Sequence, residues 1–538
     1  MINKPYKNYI KLAQRKTDRT FDVIIIGSGT GGMSAASFLA QAGKRVLLLE
    51  QHHILGGFTH SFDRAGYVWD IGLHYVGQVH IEGSIANKVF RYISKDKLKW
   101  APLDDIYDRV IFGTVEYEFP RGAVAFNDKL KKYFSTEKDK ITIDKYFSLL
   151  TEVKNLGSSF YIEKTLPVFI SKIFGNFLRR STLKFSDKTT LEVLRGLTDN
   201  KELIGVLTAR YGDFGLEPSK SSFYMHALLV NHYMEGAAYP VGGASQLAQC
   251  IVPIILESGG VALTQADVDK IIVNKNKAIG VRMKDGEALF AKDIISSTGI
   301  VNTFSHLLPK EVSEYHHLDK LLTKLEPATS HVCLYVGIKG SSKMHKLKKC
   351  NYWVFPQQYD HARGQQNYKD FNAKIPVSFI SFPSAKDPLA EKEQTNSSTA
   401  EVIMLVNFDW FKKWQNTEWQ QRGKEYQALK EELAQQMFKQ LYRVAPQLKG
   451  HIDYYEVSTP LSTRHFSHHR RGEIYGLSHT PERFQQKVLR VHTPVRNLFL
   501  SGQDIVTASI VGGTMAGLLC ASTILREQLL WKVNKKIK

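Results

Sequence analysis

A short apolar strand followed at once by a glycine-rich loop constrains the fold of this chain more than any other feature. Residues 23–26 are an apolar, β-branched run of the kind that forms a buried parallel strand. The loop 27–32 fits the spacing GxGxxG and opens a helix of small residues, which Gly43 ends. A second apolar run, residues 45–49, leads to Glu50. This order of strand, loop, helix, strand and acid predicts an α/β domain with a parallel sheet.

The glycine loop has the features of a site for the phosphates of a dinucleotide. Gly27 permits the tight turn, Gly29 lets the backbone approach a pyrophosphate, and Gly32 allows the helix to pack close to the strand. The amides at the helix start face the phosphates, whose charge the helix dipole favours. Glu50 can accept hydrogen bonds from a ribose diol and disfavours a 2′-phosphate. The candidate binding residues here are Gly27, Ser28, Gly29, Thr30, Gly31, Gly32, Glu50 and Gln51.

Further glycine motifs follow Glu50 and recur near the C-terminal end. A glycine pair stands shortly after Glu50, and the segment 70–75 begins Asp-x-Gly and contains His74. Residues 497–504 indicate a strand, a glycine turn and a carboxylate, and residues 510–517 indicate a glycine-rich helix start. Close helix packing alone is the alternative explanation for the glycines of that helix. The candidate residues in these segments are Gly56, Gly57, Phe58, Gly502, Asp504, Gly512 and Gly513.

Together these segments resemble the retinol saturase and carotenoid isomerase branch of the phytoene desaturase–amine oxidase superfamily of FAD proteins. The resemblance rests on IIIGSGTGGMSAA and LEQHHILGGFTHSFDRAGYVWDIGLHYVG near the start, on residues 232–236, 239–243 and 472–476, and on the run LFLSGQD. It therefore extends over most of the chain. The basic residue that usually follows the glycine pair in the family is absent, because Phe58 stands there.

The resemblance implies FAD as the cofactor and a particular α/β architecture. We expect a Rossmann-type, glutathione-reductase-like FAD-binding domain with an inserted β-meander, and a discontinuous mixed α+β substrate domain. Short β-rich runs with tight turns at 261–300 fit the meander. In the family a strand residue near Val268 pairs its backbone with adenine. The expected division is an FAD-binding domain of residues 1–120, 235–310 and 455–538, and a substrate domain of residues 121–234 and 311–454.

The function implied by the resemblance is that of an FAD-dependent oxidoreductase acting on a carbon–carbon double bond of an apolar polyene lipid, retinoid- or carotenoid-like. A retinol-saturase-like reductase is favoured, and a carotenoid cis-trans isomerase or desaturase on the same scaffold is the alternative. An alternative of another class is a non-catalytic lipid-binding escort resembling GDP-dissociation inhibitors, which use this fold without flavin. Intact Glu50, Gly502 and Asp504 favour a flavin site. A second GxGxxG is absent, so a nicotinamide domain is not expected and the electron donor stays open.

His74 and Tyr233 are the candidate catalytic residues. Saturation of an alkene needs a hydride from the reduced cofactor and a proton from an acid near the substrate. His74 follows the segment 70–72, which in the family approaches the flavin ring, and an imidazole titrates near neutral pH. Tyr233 lies close to the second family-like glycine run, 239–243. A structural role is the alternative for both residues, and a hydrogen bond to the flavin is a further one for His74.

The charge balance favours an anionic partner. The chain carries 72 Lys+Arg against 52 Asp+Glu, a net charge of +20. Without a recognisable nucleic-acid module, a membrane surface is favoured over nucleic acid. Residues 1–20 are basic, and residues 160–184 place apolar side chains near helical spacing beside Lys164, Lys172, Arg179 and Arg180, as in helices that lie in a membrane interface. A helix packed on the protein's own core is the alternative for the second segment.

Several patterns bear on location and on metal binding. Residues 236–256 and 505–525 are uncharged and as long as a membrane span, but glycine and proline interrupt them, which favours buried helices opened by glycine-rich turns. The N-terminal residues lack the apolar run of a secretory signal, and the 4 cysteines form no CxxC pair. We therefore expect a cytoplasmic protein, peripheral on a membrane. No metal site is expected, since neither carboxylate nor cysteine completes a ligand set for His465, His468, His469 and His479.

Overall fold

A computed structural model of the chain describes residues 21–393 and 396–537. Residues 1–20, the first of the two basic segments, lie outside the described residues. The strands are β1 Phe21–Ile26, β2 Val46–Leu49, β3 Ser61–Arg64, β4 Tyr67–Asp70, β5 Val76–Gly77, β6 Trp100–Pro102, β7 Ile106–Phe112, β8 Val115–Pro120, β9 Ala237–Pro240, β10 Val261–Leu263, β11 Val268–Asn274, β12 Lys277–Met283, β13 Ala288–Ser296, β14 Ser330–Lys339, β15 Asn351–Phe355, β16 Ser378–Ser381, β17 Ser397–Val406, β18 Ile452–Ser458 and β19 Leu498–Leu500.

Helices connect and cover these strands. The α-helices are α1 Thr30–Gln41, α2 Ile85–Ser94, α3 Ala123–Tyr133, α4 Glu137–Lys154, α5 Ser159–Glu163, α6 Val168–Ser186, α7 Thr190–Arg195, α8 Lys201–Leu207, α9 Phe223–His232, α10 Gln246–Glu257, α11 Ile300–Asn302, α12 Lys310–Tyr315, α13 Leu318–Leu322, α14 His361–Asn367, α15 Pro383–Lys386, α16 Pro388–Glu393, α17 Gly423–Val444, α18 Pro460–Ser467, α19 Pro481–Gln485, α20 Ile510–Leu525 and α21 Leu529–Lys536. Shorter 3₁₀ turns span Gly57–Thr59, Ala209–Asp213, Phe408–Trp414 and Pro446–Leu448, and a π turn spans Thr303–Leu307.

The first sheet is built around the strand that precedes the glycine loop. Its order is β10-β2-β1-β13-β12-β11, with β19 paired to β13. Strand β1 is parallel to both β2 and β13, and β11, β12 and β13 form an antiparallel meander. The side chains of residues 23–26 are at most 5% exposed. The predicted buried parallel strand, the glycine-started helix and the inserted meander are therefore confirmed.

Helix α1, near the start of the described chain, packs against α20, near its end. A Cβ atom on Gly517 would lie 2.5 Å from the carbonyl oxygen of Gly31 and 2.7 Å from the amide nitrogen of Ala35. The Ser34 hydroxyl donates a hydrogen bond of 2.8 Å to the carbonyl of Thr514. The two helix backbones are therefore in near contact, and close helix packing accounts for Gly517.

The second sheet separates an apolar core from the cavity described below. Its order is β18-β14-β17-β16-β15-β7-β8. Because side chains alternate along a strand, Val332 and Leu334 of β14 face a core that includes Leu433 and Met437 of α17. The alternate residues His331 and Tyr335 face the other way and border the cavity. The sheet thus supplies one wall of the space between the two sheets.

The strand pairing also bears on the expected domain division at residue 120. Strands β7 and β8 pair with each other, and β7 pairs with β15 of the second sheet. The discontinuous division remains a proposal, and this pairing favours a first boundary before Ile106 rather than after residue 120.

The two long uncharged stretches form the turns and helices that were expected. Residues 236–256 contain β9, a turn and most of α10, and residues 505–525 end in α20. Most of the side chains of α10 are buried in the protein. Among the helices within residues 21–393 and 396–537, none is both long enough and apolar enough to cross a membrane.

We predict that Gly517→Ala lowers the free energy of unfolding by about 1–3 kcal/mol, because the new methyl group overpacks the contact between α1 and α20. Urea denaturation of the purified protein measures the change. Gly157→Ala is the matched control, since a Cβ atom there would meet nothing within 4 Å. An equal stability for the two variants would contradict the close-packing argument.

Candidate cofactor and substrate site

One cavity of about 890 Å³ lies between the two sheets and joins the glycine loop to the wall of the second sheet. Four of the predicted site residues do not border this cavity, namely Ser28, Gly32, Tyr233 and Gly512. The predicted residues that do border it are Gly27, Gly29, Thr30, Gly31, Glu50, Gln51, Gly56, Gly57, Phe58, His74, Val268, Gly502, Asp504 and Gly513.

The glycine loop presents open backbone to the cavity. A Cβ atom on Gly29 would meet nothing within 4 Å, whereas one on Gly32 would collide with the carbonyl of Gly27. Gly27 adopts a φ of +93°, a conformation that side chains other than glycine rarely adopt. The N-cap of α1 is Gly29, so no side chain occupies the first amides of the helix. These amides and the helix dipole are therefore available to an anion.

Glu50 is held in place by the loop that it follows. Its Oε2 atom accepts hydrogen bonds from the Ser28 amide (2.9 Å) and hydroxyl (2.6 Å), and its Oε1 atom accepts one from the His52 amide (2.9 Å). The Gly56 amide in turn donates to the Ser28 hydroxyl at 2.9 Å. Ser28 thus binds the Glu50 carboxylate without bordering the cavity. A carboxylate has about four acceptor positions, so Glu50, which uses three, keeps one for a ribose hydroxyl.

Asp504 joins three segments at the other side of the loop. Its Oδ1 atom accepts a hydrogen bond from the Leu477 amide at 3.1 Å, and its Oδ2 atom accepts one from the Ile300 amide at 2.9 Å. A Cβ atom on Gly476 would collide with this carboxylate. The family-like segment 472–476 and the GQD run are therefore neighbours in space, and Asp504 borders the cavity between them.

The start of α20 is capped by a residue that the sequence did not single out. The Ser509 hydroxyl accepts a hydrogen bond of 3.0 Å from the Gly512 amide, and Ser509 adopts a φ of +113°. A serine with this φ is strained. Gly512 lies behind the cavity edge, and Gly513 lies at the edge against Thr30. Of the glycine pair, only Gly513 is thus placed to meet a ligand.

The opposite half of the cavity is apolar and comes from the second sheet. The side chains share one face of three adjacent strands, in the register Trp353↔Phe379 and Phe379↔Ile403. Sequence analysis did not identify these residues, because each lies in an ordinary apolar strand and only the pairing brings them together. The apolar residues of this wall are Trp353, Val377, Phe379, Ile403 and Leu405.

His74 lies where the two halves of the cavity meet. Its Nδ1 atom is 2.7 Å from Oε2 of Glu401, whose side chain is 0% exposed, and its ring lies 5.3 Å from that of Phe379. The Lys386 ammonium donates a hydrogen bond of 2.9 Å to the main-chain carbonyl of His74. Glu401 therefore orients the imidazole and leaves Nε2 as the nitrogen that can face the cavity.

Tyr233 lies behind His74 rather than beside the cavity. Its ring stacks on that of Tyr75 at 4.4 Å, and the Arg210 guanidinium lies 5.5 Å from the centre of the Tyr233 ring. Burial raises the pKa of Tyr233 well above its usual value. This position suits a packing role, whereas His74 has access to the cavity.

Asp70 of the Asp-x-Gly segment has a structural task. It accepts hydrogen bonds from the Ser61 hydroxyl at 2.6 Å and from the Ala244 amide at 3.0 Å, and also one from the Tyr239 hydroxyl. Burial raises the pKa of Asp70 to about 6, and nearby Glu401 adds to the rise. Asp70 therefore ties the segment before His74 to the second family-like glycine run.

Next to the apolar wall lies a group of charged side chains that sequence analysis missed, of which Asp213 borders the cavity and the others are buried behind it. Burial lowers the pKa of Lys386 to about 8 against the effect of Glu401, and raises that of Asp108 to about 7 against the effect of Arg210. Burial and then Asp108 raise the pKa of Asp213 to about 8. The one signal in the sequence was Glu401, a charge inside the apolar strand β17. The group consists of two cations, Lys386 and Arg210, and the carboxyls of Asp70, Asp108, Asp213 and Glu401.

The histidines between residues 465 and 479 have other partners. His465 stacks on Trp419 at 4.6 Å, and His479 accepts a hydrogen bond of 2.9 Å from the Ala508 amide. In the part of the chain that the structure describes, no three His, Cys, Asp or Glu side chains are grouped so that they could hold a metal ion.

The fold and the site define an FAD-binding oxidoreductase. The open glycine cradle fits a pyrophosphate, Glu50 fits a ribose, and the cavity continues to an apolar wall. The profile of the family described as "Flavin containing amine oxidoreductase" matches residues 30–525. The chain belongs to this family, and FAD is its cofactor.

Proteins similar to this chain include some named as retinol reductases and one named as a prolycopene isomerase. An all-trans-retinol 13,14-reductase of Danio rerio is 34% identical over 94% of this chain and 86% of its own length. An inactive all-trans-retinol 13,14-reductase of the same organism is 31% identical over 98% and 90%. Prolycopene isomerase 2 of an Oncidium hybrid cultivar is 25% identical over 94% and 84%. The predicted resemblance to the retinol saturase and carotenoid isomerase branch is thus confirmed.

Solved structures bear out the fold. An oxidoreductase from Methanosarcina mazei aligns with a TM-score of 0.63 at 14% identity, over 94% of this chain and 100% of that protein. At this identity the likeness concerns the fold alone, and it confirms the expected class.

We predict that Glu50→Ala lowers the affinity for FAD about tenfold or more, because it removes a charge-assisted hydrogen bond to the ribose. Asp504→Ala should also lower it, with some loss of stability, since two backbone amides lose their acceptor. Flavin fluorescence during titration of the apoprotein gives the affinity. Glu257→Ala is the control, as this acid is exposed and bound to Lys95. Unchanged affinity in both site variants would remove these residues from the cofactor site.

Proposed function

We propose that this protein is an FAD-dependent reductase that saturates a carbon–carbon double bond in a retinol-like polyene alcohol. The observation that carries the proposal is one continuous cavity that connects the cofactor loop with an apolar wall including Trp353, Phe379 and Leu405. An extended apolar ligand fits such a wall. The relatives named all-trans-retinol 13,14-reductase, which match over most of this chain, support the choice of substrate class.

The residues of the chain bind the substrate and provide the proton. When bound and reduced, FAD supplies the hydride. We propose that His74 donates the proton to the second carbon, which completes the addition of two hydrogens to the double bond. Glu401 fixes the ring through Nδ1. The apolar wall keeps water away from the reacting carbons.

The reaction type is tested with photoreduced enzyme incubated anaerobically with all-trans-retinol. Mass spectrometry of the product should show a gain of two hydrogens and one oxidised flavin per product. An unchanged mass with altered retention would instead establish the isomerase alternative, which the similarity to prolycopene isomerase 2 favours as the second candidate. A purified protein without flavin would favour the non-catalytic escort.

We predict that His74→Gln slows oxidation of the reduced enzyme by the substrate about 100-fold or more, the lower range for general acid catalysis. Stopped-flow absorbance of the flavin measures this half-reaction. Reduction of the flavin by an artificial donor should keep the parental rate, because that step requires no proton at the alkene. Tyr233→Phe is the control and should react at the parental rate, as its ring stack is kept. A parental rate in His74→Gln would show that the histidine is structural.

We further propose that the protein binds peripherally to anionic membranes through α6. The apolar side of this helix faces outward, since Phe169, Ile173 and Phe177 are 66%, 70% and 75% exposed. Its inward side carries small and polar residues such as Gly175 and Thr182. Packing on the protein's own core, the alternative for this segment, does not account for this arrangement. Exposed Lys172, Arg180 and Lys184 on the same helix favour an anionic surface. Lys164 and Arg179, also expected on this basic face, are instead buried in the protein.

We predict that Phe169→Ser and Phe177→Ser each weaken binding to anionic vesicles about tenfold or more, because each removes apolar area that the membrane buries. Flotation with vesicles containing phosphatidylserine measures the binding, which should also fall as salt rises. Tyr315→Ser is the control, because Tyr315 is an aromatic residue 77% exposed on another helix. Equal flotation with neutral and anionic vesicles would exclude the electrostatic contribution, and no flotation at all would exclude the proposal.

A further inference from the structure

Asp213 borders the substrate half of the cavity with one oxygen atom unpaired. Its Oδ2 atom accepts a hydrogen bond of 2.8 Å from the Tyr75 hydroxyl. Its Oδ1 atom has no hydrogen-bond partner among residues 21–393 and 396–537. The residue is partly exposed, although Gly212 and Phe214 on either side are buried. The exposed part of Asp213 therefore faces the cavity.

The chain around Asp213 is shaped to bring this carboxyl to the apolar wall. A Cβ atom on Gly212 would collide with the ring of Trp353, and one on Gly215 would lie 2.9 Å from the ring of Tyr475. Only glycines let the segment fit between these two aromatic rings. A polar group of a ligand in this region is surrounded mainly by apolar atoms, and it costs free energy unless it finds a partner.

The carboxyl of Asp213 carries a proton at neutral pH. Burial and the neighbouring Asp108 raise its pKa to about 8, against the effect of Arg210. A protonated carboxyl offers one hydroxyl donor and retains acceptor positions. An alcohol likewise offers one donor and an acceptor. A ligand carboxylate would instead be repelled by the buried acid Asp108, which already acts on Asp213.

We propose that Asp213 binds the hydroxyl group of the polyene alcohol and thereby selects an alcohol over a hydrocarbon or a carboxylate. Tyr75 fixes the carboxyl through Oδ2, and Oδ1 faces the hydroxyl. This inference rests on the proposed function, since it takes a polyene alcohol as the ligand. It assigns Asp213 to binding and leaves His74 as the proton donor.

The test compares the binding of two ligands by two forms of the enzyme. The holoenzyme and its Asp213→Leu variant are each titrated with all-trans-retinol and with the analogue in which a methyl group replaces the CH₂OH group. Binding is measured by the quenching of tryptophan fluorescence, to which Trp353 at the cavity contributes. The reaction is measured by single turnover of the reduced enzyme. The parent should bind the alcohol about 10- to 100-fold more tightly than the hydrocarbon, the range expected for one buried polar pair.

The variants separate a binding role from a catalytic one. Asp213→Leu should erase the preference for the alcohol and change hydrocarbon binding less than threefold, with parental flavin content. Asp213→Asn, whose amide keeps a donor and an acceptor, should restore most of the preference. Equal losses with both ligands, or a reaction rate lowered for the hydrocarbon as well, would overturn the proposal. A parent that binds both ligands equally would also overturn it.

Failure of the proposed function has a different signature. If the parent prefers the alcohol through Asp213 but does not reduce it, the hydroxyl subsite stands and the reductase proposal fails. If the parent reduces both ligands equally well and binds them equally, the reductase stands and the subsite fails.

The same subsite predicts a pH dependence. Above about pH 8 Asp213 ionises and its carboxylate can only accept a hydrogen bond, so the affinity of the parent for retinol should change in a step there while that for the hydrocarbon stays constant. Asp213→Asn should show no such step; a step that persists in Asp213→Asn would assign the titration to another group and count against the subsite. The other ionisable groups around Asp213 are Tyr75, Tyr107, Asp108, Arg210, Tyr233 and Tyr475, with Lys386 beyond Tyr75.

Discussion

The near contact of backbone between α1 and α20 is the constraint on which the rest of the structure depends. Gly31 and Gly517 belong to opposite ends of the chain, yet no side chain fits between them. The same contact places Gly502 and Asp504 over the glycine loop. Because the cofactor half of the cavity is the space that remains beside this contact, its shape follows from residues with little or no side chain. The chain between α1 and α20 includes all strands of the second sheet before it returns to this contact.

The parts of the fold that sequence analysis predicted are local in the chain. A strand, a glycine loop, a helix and an acid lie within residues 23–50, so their order alone indicates their contacts. The wall of the substrate half is different. Phe379 meets Trp353 and Ile403 only through strand register, and each strand alone reads as ordinary apolar sequence. Ser28 and Asp504 belong to the predicted motifs, but their hydrogen bonds to Glu50 and to Ile300 and Leu477 depend on loops that the sequence does not fix.

The segment 160–184 shows why periodicity alone left two explanations. Apolar residues at helical spacing predict that one side of the helix is covered, but they do not say by what. In the structure the covered side of α6 is the small and polar one, with Gly175 against Glu163. The apolar side remains exposed. The direction in which the helix faces is set by its neighbours α5, α9 and α19, and their positions are tertiary information.

The buried charges connect the two halves of the cavity. Lys386 touches the carbonyl of His74 on one side and Asn351, the neighbour of Asp108, on the other. The buried carboxyls outnumber the buried cations of Lys386 and Arg210, and ionised carboxyls close together raise one another's pKa. Asp213, whose pKa burial and Asp108 raise to about 8, is the one of these four carboxyls that borders the cavity. Lys386 binds the main chain of His74 and interacts with Asp108, which in turn acts on Asp213. The proposed proton donor and the proposed hydroxyl subsite therefore adjoin one group of buried charges, and substitutions at both residues should not have additive effects.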